Sequence, residues 1–284
     1  MKTLFERVTI IGLGLLGGSL ALALRERNLV KEIVGVARRH ETWELAMAEG
    51  VIDKGGTDPT VGVSGSDLVI LASPVEAMPA IVAGAKEGFS QGSLLTDVGS
   101  VKELLVQELP QLLPPGVEFL GSHPMAGSHL QGLANSKSNL FERATCVLTP
   151  VAGTSTGALK RLRSLWEGVG MQVIERSPEV HDAEVAWVSH GPHAVAFAFA
   201  KALGEAAPSA LQLRGSGFRD FIRIARSDGR LWSGILSENA LSTRQVVEKV
   251  IKRLDEFLDV LDGKNKEELS RWIDEGRKEV ETGE

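Results

Sequence analysis

Val8 to Ile11 is a short apolar run that ends in Gly12-Leu13-Gly14-Leu15-Leu16-Gly17, and Ser19 to Glu26 continues with helical character. No other stretch restricts the fold as tightly. A strand that runs into G-x-G-x-x-G and then into a helix is the entry to a dinucleotide-binding α/β domain. Gly12 permits the sharp turn, Gly14 lets the backbone approach a pyrophosphate, and Gly17 lets helix and strand pack closely. From Leu15 and Leu16 onward, the unpaired N–H groups of the helix start offer the phosphates a partial positive charge. The same stretch imitates a secretion signal, because Val8 to Leu24 is almost uncharged and contains Ala-Leu-Ala at 21–23. Four glycines interrupt it, and its 17 residues are short for a membrane span. No other segment reads as membrane-spanning, so a cytoplasmic protein is expected.

The pattern of strand and helix then repeats. Ile33–Val36, Asp67–Ala72, Ser93–Thr96, the run Val117–Leu120 leading to His123, Ala144–Thr149 and Met171–Glu175 read as strands, with helical segments between most of them. Such alternation implies a mostly parallel, doubly wound sheet covered on both faces, with ligands beyond the carboxyl ends of its strands. Gly12, Arg38, Ser73, Asp97, Ser100 and His123 all stand just past strand ends, which places them on one cleft. Ser73-Pro74 and Asp97 are accordingly expected at the cofactor.

The end of the second strand bears on which cofactor is used. An acid there, about 20 residues past the glycines, accepts bonds from the ribose hydroxyls of NAD. This chain has Ala37 at that point, followed by Arg38 and Arg39. A guanidinium can grip a phosphate through two parallel bonds, so NADP is expected in preference to NAD.

After Ser177-Pro178 the strands stop. His181–Lys201 and Leu236–Leu261 are helical and rich in apolar residues, which divides the chain into a dinucleotide-binding domain over 1–176 and an all-α domain over 177–284. The helical part offers more apolar surface than one domain of its size can bury, so a homodimer built through it is expected. Within it, His190 and His193 share a helix face beside Pro192, which should bend the helix. His123 could in principle complete a set of three ligands. No acid or cysteine stands at ligand-like spacing, so no metal is expected. Further on, Arg219, Arg223 and Arg226 share one face among Phe218, Phe221, Ile222 and Ile224. Those apolar neighbours imply a partly buried basic face, and a buried arginine needs a carboxylate, its own or a ligand's. The net charge of −6 argues against a nucleic-acid partner, and the single Cys146, inside an apolar run, reads as a small buried hydrophobe.

Five segments, in this order, carry a resemblance: GLGLLGGSLA, DVGSVK, GSHPMAG, VSHGPH and GFRDFIRIARSDGRLW. Together they resemble the prephenate/arogenate dehydrogenase family of tyrosine biosynthesis over about Val8 to Asn239. The resemblance implies a Rossmann domain followed by an all-α dimerisation domain. It also implies oxidation of a cyclohexadienol ring at its 4-hydroxyl by a nicotinamide cofactor, with loss of the ring carboxylate as CO2. His123 resembles the histidine that takes up the hydroxyl proton, and Ser100 the serine that shares this hydroxyl or orients the histidine. Arg223 resembles the arginine that binds a substrate carboxylate, and His193 the second-domain histidine near the substrate. His190, Ser122, Trp232 and Asp220, in the same motifs, are further candidates for substrate contact. Two positions depart from the family pattern: His129 stands where many relatives carry Glu, and Gly229 where many carry Pro. Two rival readings keep the architecture: a β-hydroxyacid dehydrogenase or imine reductase, and a cofactor-binding sensor without turnover. The former uses a lysine and an asparagine in the long helix where this chain has His190 and His193. The simultaneous presence of His123, Ser100 and Arg223 speaks against the latter.

Overall fold

The computed structural model describes residues 3–127, 130–206 and 208–281. Its first half opens with β1 (Phe5–Ile11), α1 (Leu15–Glu26), β2 (Val30–Val36) and α2 (His40–Ala48). It continues with β3 (Lys54–Gly56), α3 (Pro59–Val63), β4 (Leu68–Leu71), α4 (Met78–Ala85), β5 (Leu94–Asp97), α5 (Glu103–Leu112) and β6 (Glu118–Phe119). These six strands form one sheet in the order β3-β2-β1-β4-β5-β6, and every pairing is parallel. The order reverses between β1 and β4, which is where a doubly wound sheet opens a ligand crevice at its strand ends. The stretch that imitated a secretion signal supplies β1 and most of α1, and its apolar residues are core. Among the described residues, no helix is long and apolar enough to cross a membrane.

The expected single sheet is divided. The run from Val117 to His123 breaks after β6, and β7 (Gly121–Pro124) begins a second sheet. It pairs antiparallel with β8 (Thr145–Thr149), which after α6 (Thr156–Gly168) pairs parallel with β9 (Gln172–Glu175). His123 therefore lies inside a strand rather than in a loop past one. Pro124 is tolerated there because β7 is an edge strand, with a free side that needs no donor. β3 and α3 carry too little apolar pattern to stand out in the sequence.

Ser177 caps the next helix, α7 (Pro178–Val185), by accepting the Val180 N–H at 3.3 Å, and Pro178 sits in its first turn. A π-helical turn over Ala186–His190 leads into α8 (Gly191–Ala202), so Pro192 stands in the first turn of α8, where a missing N–H is tolerated, rather than inside a helix. Then come α9 (Ser216–Arg223), α10 (Gly229–Glu238), α11 (Ala240–Asp262) and α12 (Lys266–Glu281). Asn239 interrupts the helix expected from Leu236, separating α10 from α11.

Two apolar clusters flank the main sheet. One joins Ile10, Leu20 and Leu24 to Phe141, Leu165 and Trp166, so α1 and α6 pack with the second sheet. The other joins Val36, Leu71, Met78 and Leu105 to Trp232 and Ile235 of α10, which binds the helical half to the face carrying α4 and α5. Cys146 is fully buried in the first cluster, and burial pushes its thiol well above the usual range.

The glycine turn tolerates side chains unequally. Gly12 has φ +108°, and a Cβ on Gly17 would lie 1.9 Å from the Gly12 carbonyl oxygen, whereas around Gly14 nothing lies within 4 Å. Gly17→Ala should therefore destabilise the chain by about 1–3 kcal/mol in urea unfolding. Gly14→Ala should leave the unfolding midpoint unchanged yet weaken dinucleotide binding in a calorimetric titration. A wild-type midpoint for Gly17→Ala would contradict the packing argument.

Candidate active site

The site is assembled around the carboxyl end of β5. Asp97, its last residue, is fully buried. Its carboxylate accepts the Gly99 N–H at 2.8 Å and the Ser122 N–H at 3.1 Å, and it pairs with the ammonium of Lys102, itself fully buried. Burial raises the Asp97 pKa above the usual carboxylate value, while Lys102 and the N–H donors pull against that rise. Asp97 was expected at the cofactor; its side chain is instead spent on joining β5 to β7. Ser122 is corrected in the same way. Its hydroxyl is buried, donates to the Asp97 carbonyl at 2.5 Å and bonds Thr96 Oγ1 at 2.9 Å, so it has no face left for a substrate.

The next residue, His123, is 7% exposed. Its Nδ1 lies 2.8 Å from Nε2 of His181 on α7, and His181 Nδ1 lies 2.7 Å from Asp182 Oδ1. Burial, then the charges of His181, Lys102 and His190, push the His123 pKa well below the usual histidine value, so the ring is neutral at physiological pH. Asp182 reaches back into the first half: Oδ1 accepts the Lys102 N–H at 2.9 Å and Oδ2 the Glu103 N–H at 3.0 Å, capping α5. Asn239 donates to the Asp182 carbonyl at 2.7 Å, and its amide also lies 3.0 Å from His190 Nδ1. The sequence reading missed His181, Asp182 and Asn239 as site residues. An adjacent His-Asp pair at a helix start was the only local hint.

His190 is buried, and its Nε2 has no partner among the described residues. Burial pushes its pKa down to about 4. His193, half-buried, donates from Nδ1 to the Ser189 carbonyl at 2.8 Å and stacks on Trp232, with ring centroids 3.6 Å apart. Trp232 also meets His190 edge-on at 6.0 Å. These three expected residues are therefore brought together. Arg219, Asp220, Arg223 and Arg226 are exposed, so the partly buried arginine face is not found in the single chain. α9 has no buried residue to draw them inward, and Phe221 is itself 43% exposed. Arg223 still lies near enough to His193 to disfavour its protonated form, after burial.

On the cofactor side, Gly14 is the cap of α1 and offers no side-chain acceptor, so the first N–H groups of that helix stay available. The hydroxyl of Ser136, in the loop that follows β7, is 3.4 and 3.3 Å from the carbonyls of Gly14 and Leu15, which ties that loop to the turn. Leu15, Leu16 and Ser73 are half-buried and Pro74 is exposed. Arg38 and Arg39 are exposed past β2, and neither forms an ion pair among the described residues. Ser100 is half-buried just beyond Gly99. His129 lies outside the described residues, and Gly229 opens α10 with open space around it. Among the described residues, no group of three His, Cys, Asp or Glu side chains is disposed to hold a metal ion.

A glycine turn at the reversal point of a parallel sheet, in a chain with a neutral buried imidazole at the seam with a helical half, marks the class of dinucleotide-dependent oxidoreductases. Comparison with known proteins narrows the class. Residues 20–175 match the family model described as prephenate dehydrogenase, nucleotide-binding domain, and residues 177–275 that described as prephenate dehydrogenase, dimerization domain. The chain belongs to the prephenate dehydrogenase family. Prephenate dehydrogenase of Bacillus subtilis (strain 168) is 36% identical over 266 residues, 92% of this chain and 70% of that protein. The crystal structure of prephenate dehydrogenase from A. aeolicus, in complex with hydroxyphenyl propionate and NAD+, has a TM-score of 0.91 at 34% identity, covering 98% of each chain. Arogenate dehydrogenase from Synechocystis has a TM-score of 0.83 at 28% identity, covering 98% of this chain and 100% of that one. A 3-hydroxyisobutyrate dehydrogenase from Salmonella typhimurium, at 14% identity and a TM-score of 0.60, shares the fold alone.

The two buried histidines make stability depend on pH. His123 and His190 have folded pKa values below the unfolded value of 6.5, so the unfolded chain binds more protons just below that pH. Stability is therefore lost as pH falls below 6.5, and His190 alone accounts for roughly 2 kcal/mol between pH 6.5 and 5. Urea midpoints at pH 7 and pH 5 should differ accordingly, and His190→Gln should shrink the difference. Equal wild-type midpoints would contradict this.

Proposed function

We propose that the chain oxidises a 4-hydroxycyclohexadiene carboxylate, prephenate or its amino counterpart arogenate, with loss of CO2 to leave an aromatic ring. The observation that carries this reading is His123, a buried neutral imidazole on the strand beside the cofactor crevice. The crevice suits a dinucleotide: Gly14 leaves room where a Cβ would stand, and the start of α1 has uncapped N–H groups. A nicotinamide dinucleotide bound there supplies the hydride acceptor. The chain's own groups do the rest. His123 takes the hydroxyl proton as the C4–H bond breaks and C4–O becomes a carbonyl. The ring carboxylate then leaves as CO2, and its bonding pair enters the ring while the C4 oxygen regains a proton. Aromaticity drives that step, so the protein's remaining tasks are orientation and carboxylate recognition.

We assign the carboxylate to Arg223, an exposed guanidinium with no carboxylate partner among the described residues. Ser100 shares the substrate hydroxyl, His193 and Trp232 supply a stacked wall, the unpartnered Nε2 of His190 is a donor to the substrate, and Asp220 lies beside Arg223. For the cofactor, Ala37 removes the acid that would repel a 2′-phosphate, and the free Arg38 and Arg39 offer donors to it. Hydrogen bonds to charged groups are worth roughly 1.5–3 kcal/mol, so one good contact gives about tenfold preference for NADP over NAD. The helical half supports pairing with a second copy of the chain. Along α11, Ile251, Leu254, Leu258 and Leu261 are 47–55% exposed at the 3-4-3 spacing of a helix-pairing seam.

Steady-state kinetics with both substrates and both cofactors tests the catalytic reading. His123→Asn should lower kcat by roughly 10²-fold or more with KM little changed. Arg223→Ala should raise KM strongly, by roughly 2–5 kcal/mol in equivalent free energy if the pair with the substrate carboxylate is desolvated on binding. Ala37→Asp with Arg38→Ala should swing kcat/KM towards NAD. Near-normal kcat in His123→Asn would remove the base, and equal wild-type kcat/KM for both cofactors would remove the NADP preference. Light scattering should give a dimer at micromolar concentration, and a monomer would contradict the seam.

A further inference from the structure

His123 belongs to the dinucleotide-binding half, but the group its ring addresses belongs to the other half. The contacts form one line: His123 Nδ1 to His181 Nε2 at 2.8 Å, then His181 Nδ1 to Asp182 Oδ1 at 2.7 Å. All three side chains are buried, with His181 1% and Asp182 3% exposed. A line of this kind has few consistent proton arrangements, because an ionised carboxylate only accepts and a neutral imidazole has one donor and one acceptor.

Asp182 sets the direction. Its oxygens take the N–H groups of Lys102 and Glu103 besides the His181 ring. Burial works against its charge, yet the His181 bond and those two N–H donors outweigh burial and hold its pKa below the usual carboxylate value. Two backbone donors fix the carboxylate as an acceptor, so the proton between Asp182 and His181 belongs on His181 Nδ1. An imidazole that holds its single proton on Nδ1 has its lone pair on Nε2, and for His181 in that form the contact at 2.8 Å is a bond donated by His123 Nδ1. The lone pair of His123 is left on Nε2.

We propose that His181 and Asp182 are positioning residues that lock His123 in the tautomer protonated on Nδ1, so that bare Nε2 receives the substrate's hydroxyl proton. This rests on the reading of His123 as the base. An imidazole without that acceptor distributes between two tautomers, and the one protonated on Nε2 cannot accept the proton. The bond to His181 also survives the reaction, since His123 keeps its Nδ1 proton when Nε2 becomes protonated. Other groups bear on the ring as well: Lys102 before α5 and His190 on the π-helical turn oppose a positive charge on it, and Cys146 on β8, paired in register with Pro124, takes the His123 backbone N–H. None of them supplies an acceptor for Nδ1. His181 does.

The test needs no variant at first. In histidine-¹⁵N-labelled protein at pH 7, long-range ¹H–¹⁵N correlation should show His123 and His181 both protonated on Nδ1, with signals assigned by His123→Asn and His181→Gln. His181→Phe keeps a ring but removes the acceptor. It should lower kcat roughly tenfold or more, with KM for substrate and cofactor within about twofold, and should populate the Nε2-protonated form of His123. His181→Gln, whose side-chain oxygen can accept from Nδ1, should recover most of the lost kcat and return His123 to the Nδ1-protonated form. Wild-type His123 protonated on Nε2, or His181→Phe with wild-type kcat, would overturn the proposal while leaving the base assignment intact. Full activity in His123→Asn would remove the base itself, a result the tautomer spectrum distinguishes.

Discussion

The buried carboxylate of Asp97 is the interaction on which the rest of the site depends. It sits where the parallel sheet ends and the second sheet begins, and it binds Gly99 and Ser122 N–H groups and the Lys102 ammonium at once. Neither Asp97 nor Lys102 reaches water. Removing one partner of such a pair leaves a buried charge and costs about 3–5 kcal/mol, so the pair holds its neighbours in a fixed relation. The Ser122 bond carries β7, and with it His123, to the end of β5. The Lys102 backbone N–H meets Asp182 of the helical half. From Asp97 to Lys102 the chain therefore fixes the strand that bears His123 and the helix that carries its partner His181.

The seam between the halves follows from the same economy of contacts. Trp232 and Ile235 of α10 complete an apolar cluster with Val75, Met78 and Leu105. Polar bonds through Asp182 and Asn239 lie next to it. Apolar burial supplies attraction without direction, and the buried polar bonds supply the direction. By contrast, α9 and the outer face of α11 are exposed in the single chain.

Much of this architecture was legible in the sequence, and the exceptions have physical causes. The glycine turn, the alternation of strands and helices, and the helical second half all rest on local signals of period or backbone freedom. His123, His190, His193 and Trp232 stood out in the sequence because their motifs are compact, and the last three lie together in the fold. β7 was hidden, since Gly121-Ser122-His123-Pro124 has none of the apolar pattern of a strand. The side-chain bonds of Asp97 and Ser122 were not legible, because position near a strand end says where a residue stands, not which way its side chain turns. His181 escaped notice because it meets His123 across 58 positions of chain. The arginine face of α9 is exposed in the single chain for a related reason: flanking apolar residues indicate burial only when something packs over them.

That Asp182 both caps α5 and holds His181 has a consequence for how such a protein can change over time. The two halves share a buried apolar cluster, and recombination between relatives that exchanged one half at the Ser177 cap would have to preserve that seam. A hybrid would take His123 from one parent and the His181–Asp182 pair that its ring meets from the other. The helix start at residues 102 and 103, the His-Asp pair and the histidine on β7 must then descend together, although they are separated in the gene. Lineages that shuffle these halves would be held to matched sets, and the seam, rather than either half, is the unit on which selection for turnover acts.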